Sequence, residues 1–501
     1  MKKILSARDM KKVDEYSINI IGIPSLALME TASRYVAEYI EKRHDTDAKI
    51  VAVCGVGNNG ADGVAAVRTL FSRGYKQLEV IVVGDIKKAT REFKVQLEVI
   101  KKLEIKCITD EKDIQQQKFD SYDVIVDGLF GIGLSRGVTG IFSEIISKIN
   151  SSKCKKYAID IPSGIDGNTG RVLGNAIKAD YTITFGSLKL GQVLYPGADY
   201  AGEIEVFDIG FPKEAYSNAD IIYTLENSDL TKLFPKRKDY SNKGTYGKLL
   251  IIAGNEDMYG AAYMSAMASF YMGVGLIKIL TTENNKPIIN EKLPEAIVVA
   301  IDDSNVRDIL NTEISWCDTM LIGPGMGVSK RTEEILGICL DAGKKTIIDA
   351  DGINALSASE ALKGKLHNQV IITPHLGEMS RFIKKSIKEI ADNMVESCRM
   401  ASKKYGISVV MKDARSIITN ALLETYINMN GNSGMAKAGS GDVLAGIISG
   451  ITATGVEINN AACVGAYIHG LAGSLAREEY GEYSMMPTDM IKSLKRVNEI
   501  V

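Results

Sequence analysis

The sequence predicts an α/β protein with two domains, each built on a parallel sheet covered by helices. Its 501 residues exceed what one hydrophobic core accommodates, so two or more domains are expected. In both halves, short apolar segments run into glycine-rich turns and then into helical patterns, which is typical of βαβ units. The 47 glycines and only 10 prolines suit many tight strand-to-helix turns better than disordered linkers.

Composition and charge narrow the class of protein. Hydrophobic residues make up 45% and charged residues 24% of the chain, and the net charge is −2, which is typical of a globular protein without a nucleic-acid partner. The seven cysteines are scattered and form no CxxC pair, which indicates reduced thiols. The first residues lack the apolar core of a signal peptide, and no eighteen apolar residues run together. We therefore expect a cytoplasmic protein that binds neither nucleic acid nor membrane.

The first elements are two helical patterns at 7–20 and 25–42, followed by a buried strand at 49–54. Glycine-rich residues 55–63 come next, and a helix is expected from Val64. The segment satisfies the G-x-G-x-x-G dinucleotide fingerprint, which is a weak signal by itself. Its asparagine and aspartate side chains favour a pocket with its own ligands.

Two more polar loops follow apolar strands, at 128–137 and 160–166. Because the carboxyl ends of parallel strands meet at one edge of a sheet, all three loops are expected to converge there. Arg136 is suited to phosphate. Hard oxygen ligands for a cation come from Asn59, Asp127 and Ser163. Their spacing leaves the identity of the cation open.

Three segments of this half resemble the YjeF N-terminal family, the NAD(P)H-hydrate epimerases. They are NNGADG at 58–63, DGLFGIGLSRG at 127–137 and DIPSGIDGNTG at 160–170. GIPSLALMETASR at 22–34 and SLKLGQVLYPG at 187–197 extend the likeness over about 1–215. Ala61 replaces a glycine of the family pattern, and Leu188 replaces a proline.

The resemblance implies a Rossmann-like αβα domain over 1–218, with K⁺ bound at Asn59, Asp127 and Ser163. It also implies catalysis by Asp160 and Lys189, because an aspartate beside a lysine can supply base and acid while the ring nitrogen changes charge. The substrate contacts that it implies are Asn58, Asn59, Gly60, Ala61, Asp62, Gly131, Ile132, Gly133, Leu134, Ser135, Arg136, Gly137 and Asp160.

A last strand is expected at 203–209, and residues 211–227 carry no sustained period. We therefore predict the join there, with domains at 1–218 and 219–501. The second half repeats the pattern of a strand followed by a loop, at 248–262, 320–327, 346–354 and 370–378.

The glycine-rich stretch 428–441 leads into an apolar helical pattern. Such a turn leaves backbone N–H groups unpaired at the positive end of the helix dipole, so it suits phosphate or developing negative charge. Asp442 is expected at the helix start, where it either caps the helix or acts on a substrate hydroxyl as general acid or base.

This half resembles the ribokinase-like ADP-dependent NAD(P)H-hydrate dehydratases. The likeness rests on GPGMG at 323–327, DADGIN at 349–354, TPHLGE at 373–378, KDARS at 412–416 and NSGMAKAGSGD at 432–442, and it spans about 235–490. Ser433 replaces the family's usual proline and Ala438 its usual glycine. A P-loop is absent, and the four histidines lack metal-ligand spacing.

The resemblance implies a ribokinase-like αβα domain in which Asp442 is catalytic and contacts the substrate with Ala261, Gly325 and His375. It implies ADP as cofactor, with ATP as the alternative and Mg²⁺ as a further candidate. The expected nucleotide contacts are Lys412, Asp413, Ala414, Arg415, Ser416, Asn432, Ser433, Gly434, Met435, Ala436, Lys437, Ala438, Gly439, Ser440 and Gly441.

Together the two likenesses imply a bifunctional repair enzyme. It would epimerise the R and S hydrates of NADH and NADPH, called NADHX and NADPHX, and dehydrate the S form. We also expect a homo-oligomer. Two alternatives stay open, since fold alone does not settle function: an ATP-dependent kinase of the hydroxymethylpyrimidine or hydroxyethylthiazole type, and a non-catalytic nucleotide-binding module in the first domain.

Overall fold

The structure, a computed structural model, describes residues 1–234, 236–301 and 305–500. The chain divides into two compact units, an amino-terminal unit of Lys2–Ile221 and a carboxy-terminal unit that runs from Ile222 onward. Each combines helices with a largely parallel sheet, which confirms the predicted α/β class. In the part of the chain that the structure describes, no helix is both long enough and apolar enough to cross a membrane.

The strands of the amino-terminal unit are β1 (Lys2–Leu5), β2 (Ile50–Cys54), β3 (Leu78–Val82), β4 (Lys106–Ile108), β5 (Val124–Gly128), β6 (Lys155–Ile159), β7 (Tyr181–Phe185), β8 (Leu188–Lys189) and β9 (Glu203–Phe207). Within the described residues, the sheet has the order β4-β3-β2-β5-β6-β7-β9 and is parallel throughout. Strands β1 and β8 pair with each other. The central strands are buried on both faces, as a parallel sheet covered by helices requires.

The helices of this unit are α1 (Ala7–Glu15), α2 (Ser25–Glu41), α3 (Asn58–Ser72), α4 (Arg91–Lys102), α5 (Glu111–Gln115), α6 (Gly140–Ser151), α7 (Leu190–Val193) and α8 (Gly197–Ala201). A π-helical turn, Tyr16–Ile20, continues α1. From β2, the strands β3 and β4 follow one another toward one edge of the sheet, whereas β5 lies on the other side of β2. The sheet therefore has its topological switch point between β2 and β5, where open α/β sheets bind ligands.

The start of α3 differs from the prediction. The helix begins at Asn58 rather than at Val64, so the polar residues of 58–63 form its first turns instead of a loop. Glycine permits this because the helix approaches β2 closely. A Cβ at Gly60 would lie 1.8 Å from the Gly55 carbonyl oxygen, and one at Gly63 would lie 2.8 Å from Cys54 Sγ. Close packing outweighs the low helix propensity of glycine here.

The strands of the carboxy-terminal unit are β10 (Ile222–Thr224), β11 (Lys248–Ile252), β12 (Leu276–Thr281), β13 (Ile297–Ala300), β14 (Thr319–Ile322), β15 (Lys345–Ile348), β16 (Val370–Ile372), β17 (Ser408–Met411), β18 (Ile417–Thr419) and β19 (Thr425–Ile427). Among the described residues of this unit, their order is β13-β12-β11-β14-β15-β16-β17-β18-β19-β10. Strand β18 runs antiparallel to both neighbours. This sheet has its switch point between β11 and β14.

The helices of this unit are α9 (Asn227–Leu233), α10 (Tyr259–Tyr271), α11 (Asn285–Lys292), α12 (Val306–Trp316), α13 (Lys330–Asp341), α14 (Asp351–Ala358), α15 (Glu360–Lys363), α16 (Leu376–Ile383), α17 (Ile387–Asp392), α18 (Met394–Tyr405), α19 (Ser440–Ala453), α20 (Ile458–Tyr480) and α21 (Pro487–Ile500). Helix α19 is buried along most of its length. It packs so closely on α10 that a Cβ at Gly446 would lie 2.3 Å from the Ser265 carbonyl oxygen. This contact holds the amino-terminal end of α19 in place.

Candidate functional sites

A cavity of about 630 Å³ opens in the amino-terminal unit, beside the switch point between β2 and β5. It gathers most of the residues that the sequence predicts as substrate contacts or catalysts. The predicted residues that line it are Asn58, Asn59, Asp62, Gly131, Ile132, Gly133, Leu134, Ser135, Arg136, Asp160 and Lys189. The loops after β2 and β5 and the residue after β6 thus meet at one sheet edge, in a space suited to a small molecule.

Three predicted substrate contacts, Gly60, Ala61 and Gly137, are not part of this lining. Ala61 is fully buried, and Gly60 packs against the turn after β2. Gly60 and Ala61 therefore serve the close approach of α3 to the sheet, while their neighbours Asn59 and Asp62 face the cavity.

Asp160 and Lys189 form an ion pair at the cavity wall, with Lys189 Nζ 2.5 Å from Asp160 Oδ1. The ammonium also donates hydrogen bonds to Thr184 Oγ1 at 2.9 Å and to the Phe185 carbonyl oxygen at 2.8 Å. Lys189 is 1% exposed, whereas Asp160 faces the cavity. The backbone of Asp160 adopts a left-handed conformation, with φ of 65°, which is uncommon outside glycine, asparagine and aspartate. Burial therefore holds the Lys189 side chain in one position, and the left-handed turn orients the Asp160 carboxylate toward the cavity.

The predicted cation ligands Asp127 and Ser163 are fully buried and hydrogen-bonded to each other. Ser163 donates to Asp127 Oδ1 through its hydroxyl, at 2.5 Å, and to Oδ2 through its backbone N–H, at 2.8 Å. The Ser163 hydroxyl oxygen lies 3.2 Å from the Phe130 carbonyl oxygen. Burial raises the pKa of Asp127 to about 6, although the hydrogen bonds from Ser163 oppose the shift. The result is a cluster of carboxylate, hydroxyl and carbonyl oxygens.

Asn59, the third predicted cation ligand, lies in the first turn of α3 and lines the cavity. Its amide atom Nδ2 is buried without a hydrogen-bond partner. The Asn59 side chain also packs against Gly131, where an added Cβ would lie 3.3 Å from Asn59 Oδ1. Because the oxygen and nitrogen of an asparagine amide are assigned from their partners, the unpaired position is open to Oδ1, and amide oxygens are among the ligands of hard cations.

Two further carboxyl groups, of Asp14 on α1 and Asp62 on α3, line the same cavity. Burial, followed by repulsion from Asp160, raises the pKa of both, and the shift of Asp62 is the larger. The sequence analysis missed Asp14, because α1 is distant in sequence from the three glycine-rich loops. Only the packing of α1 brings it to the cavity.

The carboxy-terminal unit carries its site at the amino-terminal end of α19. Gly439 precedes this helix with φ of 98°, a conformation that favours glycine. Asp442 lies in the first helical turn, and the start of the helix has no side-chain cap. Asp442 thus stands at the helix start, as the sequence predicts. Its carboxylate is left for other partners.

An ion pair lies beside Asp442. Lys412 Nζ lies 2.7 Å from Asp349 Oδ1 and 3.9 Å from Glu378 Oε2, and Thr373 Oγ1 also donates to Asp349 Oδ1, at 2.7 Å. Burial opposes the charge of Lys412, but the two carboxylates outweigh it and raise the lysine pKa. Lys412 is therefore a permanent cation in this site.

The carboxyl group of Asp442 has a strongly shifted pKa. Burial raises it to about 7, repulsion from Asp349 and Asp351 adds to the shift, and attraction to Lys412 opposes it. The group therefore exchanges its proton near neutral pH, which is the range that suits a general acid or base. Strong perturbation by burial plus defined charges is characteristic of functional sites.

His375 caps α16 and adjoins Lys412 through a bridge between the chains that follow β16 and β17. Its Nδ1 accepts hydrogen bonds from the backbone N–H groups of Gly377, at 2.9 Å, and Glu378, at 3.4 Å. Burial, with Lys412 and Arg381 nearby, lowers the pKa of His375. The neutral imidazole therefore carries its proton on Nε2, which lies 3.5 Å from Glu378 Oε1 on the half-exposed side of the ring.

Ala261 and Gly325, predicted on the substrate side, lie against each other. A Cβ at Gly325 would be 3.1 Å from Ala261 Cβ. Ala261 belongs to α10, and one turn later Ser265 Oγ donates to the Asp442 carbonyl oxygen at 3.1 Å. Helix α10 thus links this pair to the start of α19.

Several side chains predicted to hold the nucleotide have protein partners instead. Arg415 donates to the Met429 carbonyl oxygen, Asn432 to that of Gly473, and Lys437 to those of Tyr483 and Met485. Ser433 bonds to Glu482. These side chains shape the loops at 412–416 and 432–441, so the loops present backbone groups to any bound anion. Gly441 leaves a Cβ position 3.4 Å from Lys412 Nζ, which brings the two segments together.

Asp349, Glu378 and Asp351 are site residues that the sequence analysis quoted within motifs but did not assign. Asp349 directly follows β15, Asp351 begins α14 and Glu378 lies in α16. A charged residue at the carboxyl end of a parallel strand is the signal that would have found Asp349. Asp351 Oδ2 accepts from the Gly327 backbone N–H at 2.8 Å. In the described part of the chain, no three His, Cys, Asp or Glu side chains are grouped to hold a metal ion.

Comparison with known proteins gives the same division into two parts. Residues 249–496 match the family model described as NAD(P)H-hydrate dehydratase, and residues 25–191 match the one described as YjeF-related protein N-terminus. A protein of Thermofilum pendens is 33% identical, over 99% of this chain and 96% of its own length. One of Moorella thermoacetica is 31% identical, over 99% and 96%. Both are named bifunctional NAD(P)H-hydrate repair enzymes.

Two solved structures are similar to the carboxy-terminal unit. A ribokinase-like superfamily protein from Enterococcus faecalis is 29% identical with a TM-score of 0.50, covering 56% of this chain and 96% of its own. A hypothetical protein from Streptococcus mutans is 25% identical with a TM-score of 0.50, covering 56% and 99%. The likeness confirms the predicted ribokinase-like fold of this unit.

Proposed function

The chain belongs to the family of bifunctional NAD(P)H-hydrate repair enzymes, and from this premise we propose how its two units divide the repair. The amino-terminal unit epimerises the R and S hydrates of NADH and NADPH. The carboxy-terminal unit dehydrates the S hydrate, with ADP as the nucleotide. The observation that carries the proposal is the position of Asp442, whose pKa is raised to about 7, at the start of α19 and beside Lys412.

Dehydration requires a proton on the departing hydroxyl group. The Asp442 carboxyl group keeps its proton up to about pH 7, so it can donate that proton in the neutral range. The Lys412–Asp349 ion pair places one positive and one negative charge beside the Asp442 carboxyl group. We propose that Ala261, Gly325 and His375 form the remainder of the substrate side, with His375 Nε2–H as a hydrogen-bond donor.

Nucleotide binding is proposed for the loops at 412–416 and 432–441. The first turn of α19 offers unpaired backbone N–H groups at the positive end of its dipole, which suit phosphate oxygens. Lys412 adds a fixed positive charge. Because most side chains of these loops bond to the protein, we propose that recognition of the nucleotide is made mainly by the backbone. We propose no protein site for Mg²⁺, which binds few protein groups when phosphates are its ligands.

A potassium ion is proposed at Asn59, Asp127 and Ser163. The unpaired amide position of Asn59 and the oxygens of Asp127, Ser163 and Phe130 fit such an ion. When bound, it supplies positive charge under the cavity floor. The protein residues position the substrate, and Asp160 exchanges its proton while Lys189 holds the carboxylate in place.

The alternative of a hydroxymethylpyrimidine or hydroxyethylthiazole kinase is not favoured, because relatives named as repair enzymes align over 99% of the chain. A kinase would also leave the Asp160–Lys189 cavity without a role. The proposal includes a cytoplasmic location, supported by free cysteines in the described residues, and a homo-oligomer, which sedimentation velocity tests.

The deciding experiment is recovery of NADH absorbance from a mixture of R and S hydrates with ADP, with ATP or without nucleotide, while inorganic phosphate is monitored. Complete recovery of NADH absorbance with ADP supports both activities, and the phosphate measurement shows whether ADP is consumed. Recovery that stops after only part of the mixture has reacted would contradict the epimerase activity. Turnover only with ATP, together with a phosphorylated product, supports the kinase instead.

A further inference from the structure

One wall of the amino-terminal cavity is formed by α1, an element that none of the recognised motifs includes. Met10, Lys11, Asp14 and Ile18 lie at the spacing of one helix face, and all four line the cavity. Val13 and Ser17 on another face are buried. The π-helical turn Tyr16–Ile20 begins two residues after Asp14 and contains Ile18, and such turns are frequent at functional sites.

The cavity carries an excess of carboxyl groups. Asp14, Asp62 and Asp160 come from three different elements and line the same space. The buried ammonium of Lys189 lies 2.5 Å from Asp160 and is committed to it. Lys11 is exposed and pairs with Glu15 at 3.6 Å. The charged or titratable residues of the lining are Lys11, Asp14, Asp62, Glu92, Arg136, Asp160 and Lys189.

Carboxyl groups gathered in one buried space repel one another, which favours their protonated forms. The pKa of Asp14 and that of Asp62 are raised, first by burial and then by repulsion from Asp160. The shift is larger for Asp62, and Lys189 partly opposes the shift of Asp14. Both groups therefore hold a proton to a higher pH than a free aspartate, and a protonated carboxyl group can donate to a substrate.

We propose that Asp14 is a second proton-transfer residue of the epimerase site, acting with Asp160 on the hydroxyl-bearing carbon and ring nitrogen of the hydrate. This inference rests on the proposed epimerase function. Asp160, which pairs with Lys189, is placed to accept a proton. Asp14 faces the same cavity from α1 and is placed to donate one.

The chemistry balances without any further reactant. The Asp14 carboxyl group gives its proton to the hydroxyl oxygen, and the C–O bond breaks with its electron pair leaving on the water that forms. The lone pair of the ring nitrogen makes the C=N bond. Addition of water to the other face of the ring reverses these changes, and the proton that the water loses passes to a carboxylate. No electron is gained or lost overall.

The test uses the full-length chain, the R hydrate of NADH and ADP, under conditions where epimerisation limits the recovery of absorbance. Asp14→Asn keeps the shape of the side chain but removes its proton exchange. Asp14→Glu restores a carboxyl group. Glu144→Gln is the control, because Glu144 is an exposed carboxylate on another helix of this unit, α6, and does not line the cavity. Thermal unfolding midpoints verify that each variant is folded.

We expect Asp14→Asn to lower kcat at least tenfold with KM changed less than threefold, and to flatten one limb of the pH profile. Asp14→Glu should recover part of kcat, and Glu144→Gln should match the unsubstituted chain. An unchanged kcat and pH profile in Asp14→Asn, or a change in KM alone, would overturn the role of Asp14 while leaving the epimerase itself intact. If the unsubstituted chain does not convert the R hydrate, the proposed epimerase fails, which the same experiment shows separately.

Discussion

Lys412 Nζ lies 2.7 Å from Asp349 Oδ1, and this buried ion pair joins two loops that are 63 residues apart in the chain. Asp349 follows β15 and Lys412 follows β17, on either side of β16. The pair also sets the charges that act on Asp442, since the carboxylate raises the Asp442 pKa and the ammonium opposes that shift. The geometry of the dehydratase site thus depends on two residues that make no chemical step themselves.

Lys412→Met should destabilise the carboxy-terminal unit strongly. The substitution leaves the Asp349 carboxylate 1% exposed without its cation, and breaking a buried pair in this way costs about 3–5 kcal/mol. Lys412→Met combined with Asp349→Asn removes both charges and should recover much of that loss. Denaturant unfolding of the unsubstituted chain and of the two variants measures the effect. If the double variant is no more stable than Lys412→Met, the ion pair is not the source of the loss.

Asp442→Asn should abolish dehydration, because the amide cannot donate the proton that the departing hydroxyl group needs. Removal of a general acid typically costs about 10²–10⁴-fold in rate. Epimerisation of the R and S hydrates should continue, since Asp442 lies in the other unit. Chromatographic separation of the hydrates measures epimerisation without dehydration. Dehydration by Asp442→Asn at the original rate would show that this carboxyl group is not the acid.

The dehydration rate should fall as pH rises through about 7. Burial raises the pKa of Asp442 to that value, so the donating, protonated form dominates below it and declines above it. We expect kcat to be nearly constant below pH 6 and to fall about tenfold for each pH unit well above 7. Steady-state kinetics on the purified S hydrate with saturating ADP measures this. A rate that rises across the same range would make Asp442 a base instead.

The same shift predicts a pH-dependent stability. A carboxyl group whose folded pKa is raised contributes stability that is complete below its ordinary value of 3.8 and is lost as pH rises through about 7. Asp442→Asn has no ionisable group at this position, so its stability does not fall with pH in this way. At pH 4 it should therefore melt at the same temperature as the unsubstituted chain. At pH 8 it should melt several degrees higher, because the unsubstituted chain loses about 1.4 kcal/mol of unfolding free energy for each unit by which the pKa is raised. Equal midpoints at both pH values would contradict the shift.

Much of the fold follows from the sequence because its signals are local. Apolar segments such as 49–54 and 248–253 predict buried strands, and β2 and β11 occupy them within one residue at each end. The glycine-rich segment 55–63 predicts a sharp turn, yet the helix starts six residues earlier than expected. The reason is tertiary: Gly60 and Gly63 let α3 approach β2, and close packing overrides helix propensity.

The sites follow from the sequence only in part. Asp160 and Asp442 stand in motifs next to strand or helix ends, so a local rule finds them. Asp349 contacts Lys412 only because β15 and β17 lie on either side of β16 in the sheet. Asp14 lines its cavity only because α1 packs there. Contacts between residues this far apart depend on the assembled sheet, and no short pattern encodes them.

Asp160→Asn should lower epimerase activity by about 10²–10⁴-fold while the unit stays folded. Asparagine is the suitable replacement because it tolerates the left-handed backbone at this position, where φ is 65°. Asp160→Ala would add backbone strain to the loss of the carboxylate and confuse the two effects. Rates of R-to-S conversion and thermal midpoints of both variants separate them. If Asp160→Asn epimerises normally, the carboxylate is not the proton acceptor.

Gly439→Ala should weaken nucleotide binding far more than Gly455→Ala, although both positions have φ near 100° and flank α19. At Gly439, an added Cβ would lie 2.7 Å from Met264 Cε, so either the Met264 side chain or the turn that presents backbone N–H groups must shift. At Gly455, beyond the other end of the helix, no atom lies within 4 Å of that position, and only the backbone strain of about 1 kcal/mol applies. Calorimetric titration with ADP measures both variants. We expect at least a tenfold rise in Kd for Gly439→Ala and less than a twofold change for Gly455→Ala; equal effects would mean that the turn does not form the nucleotide site.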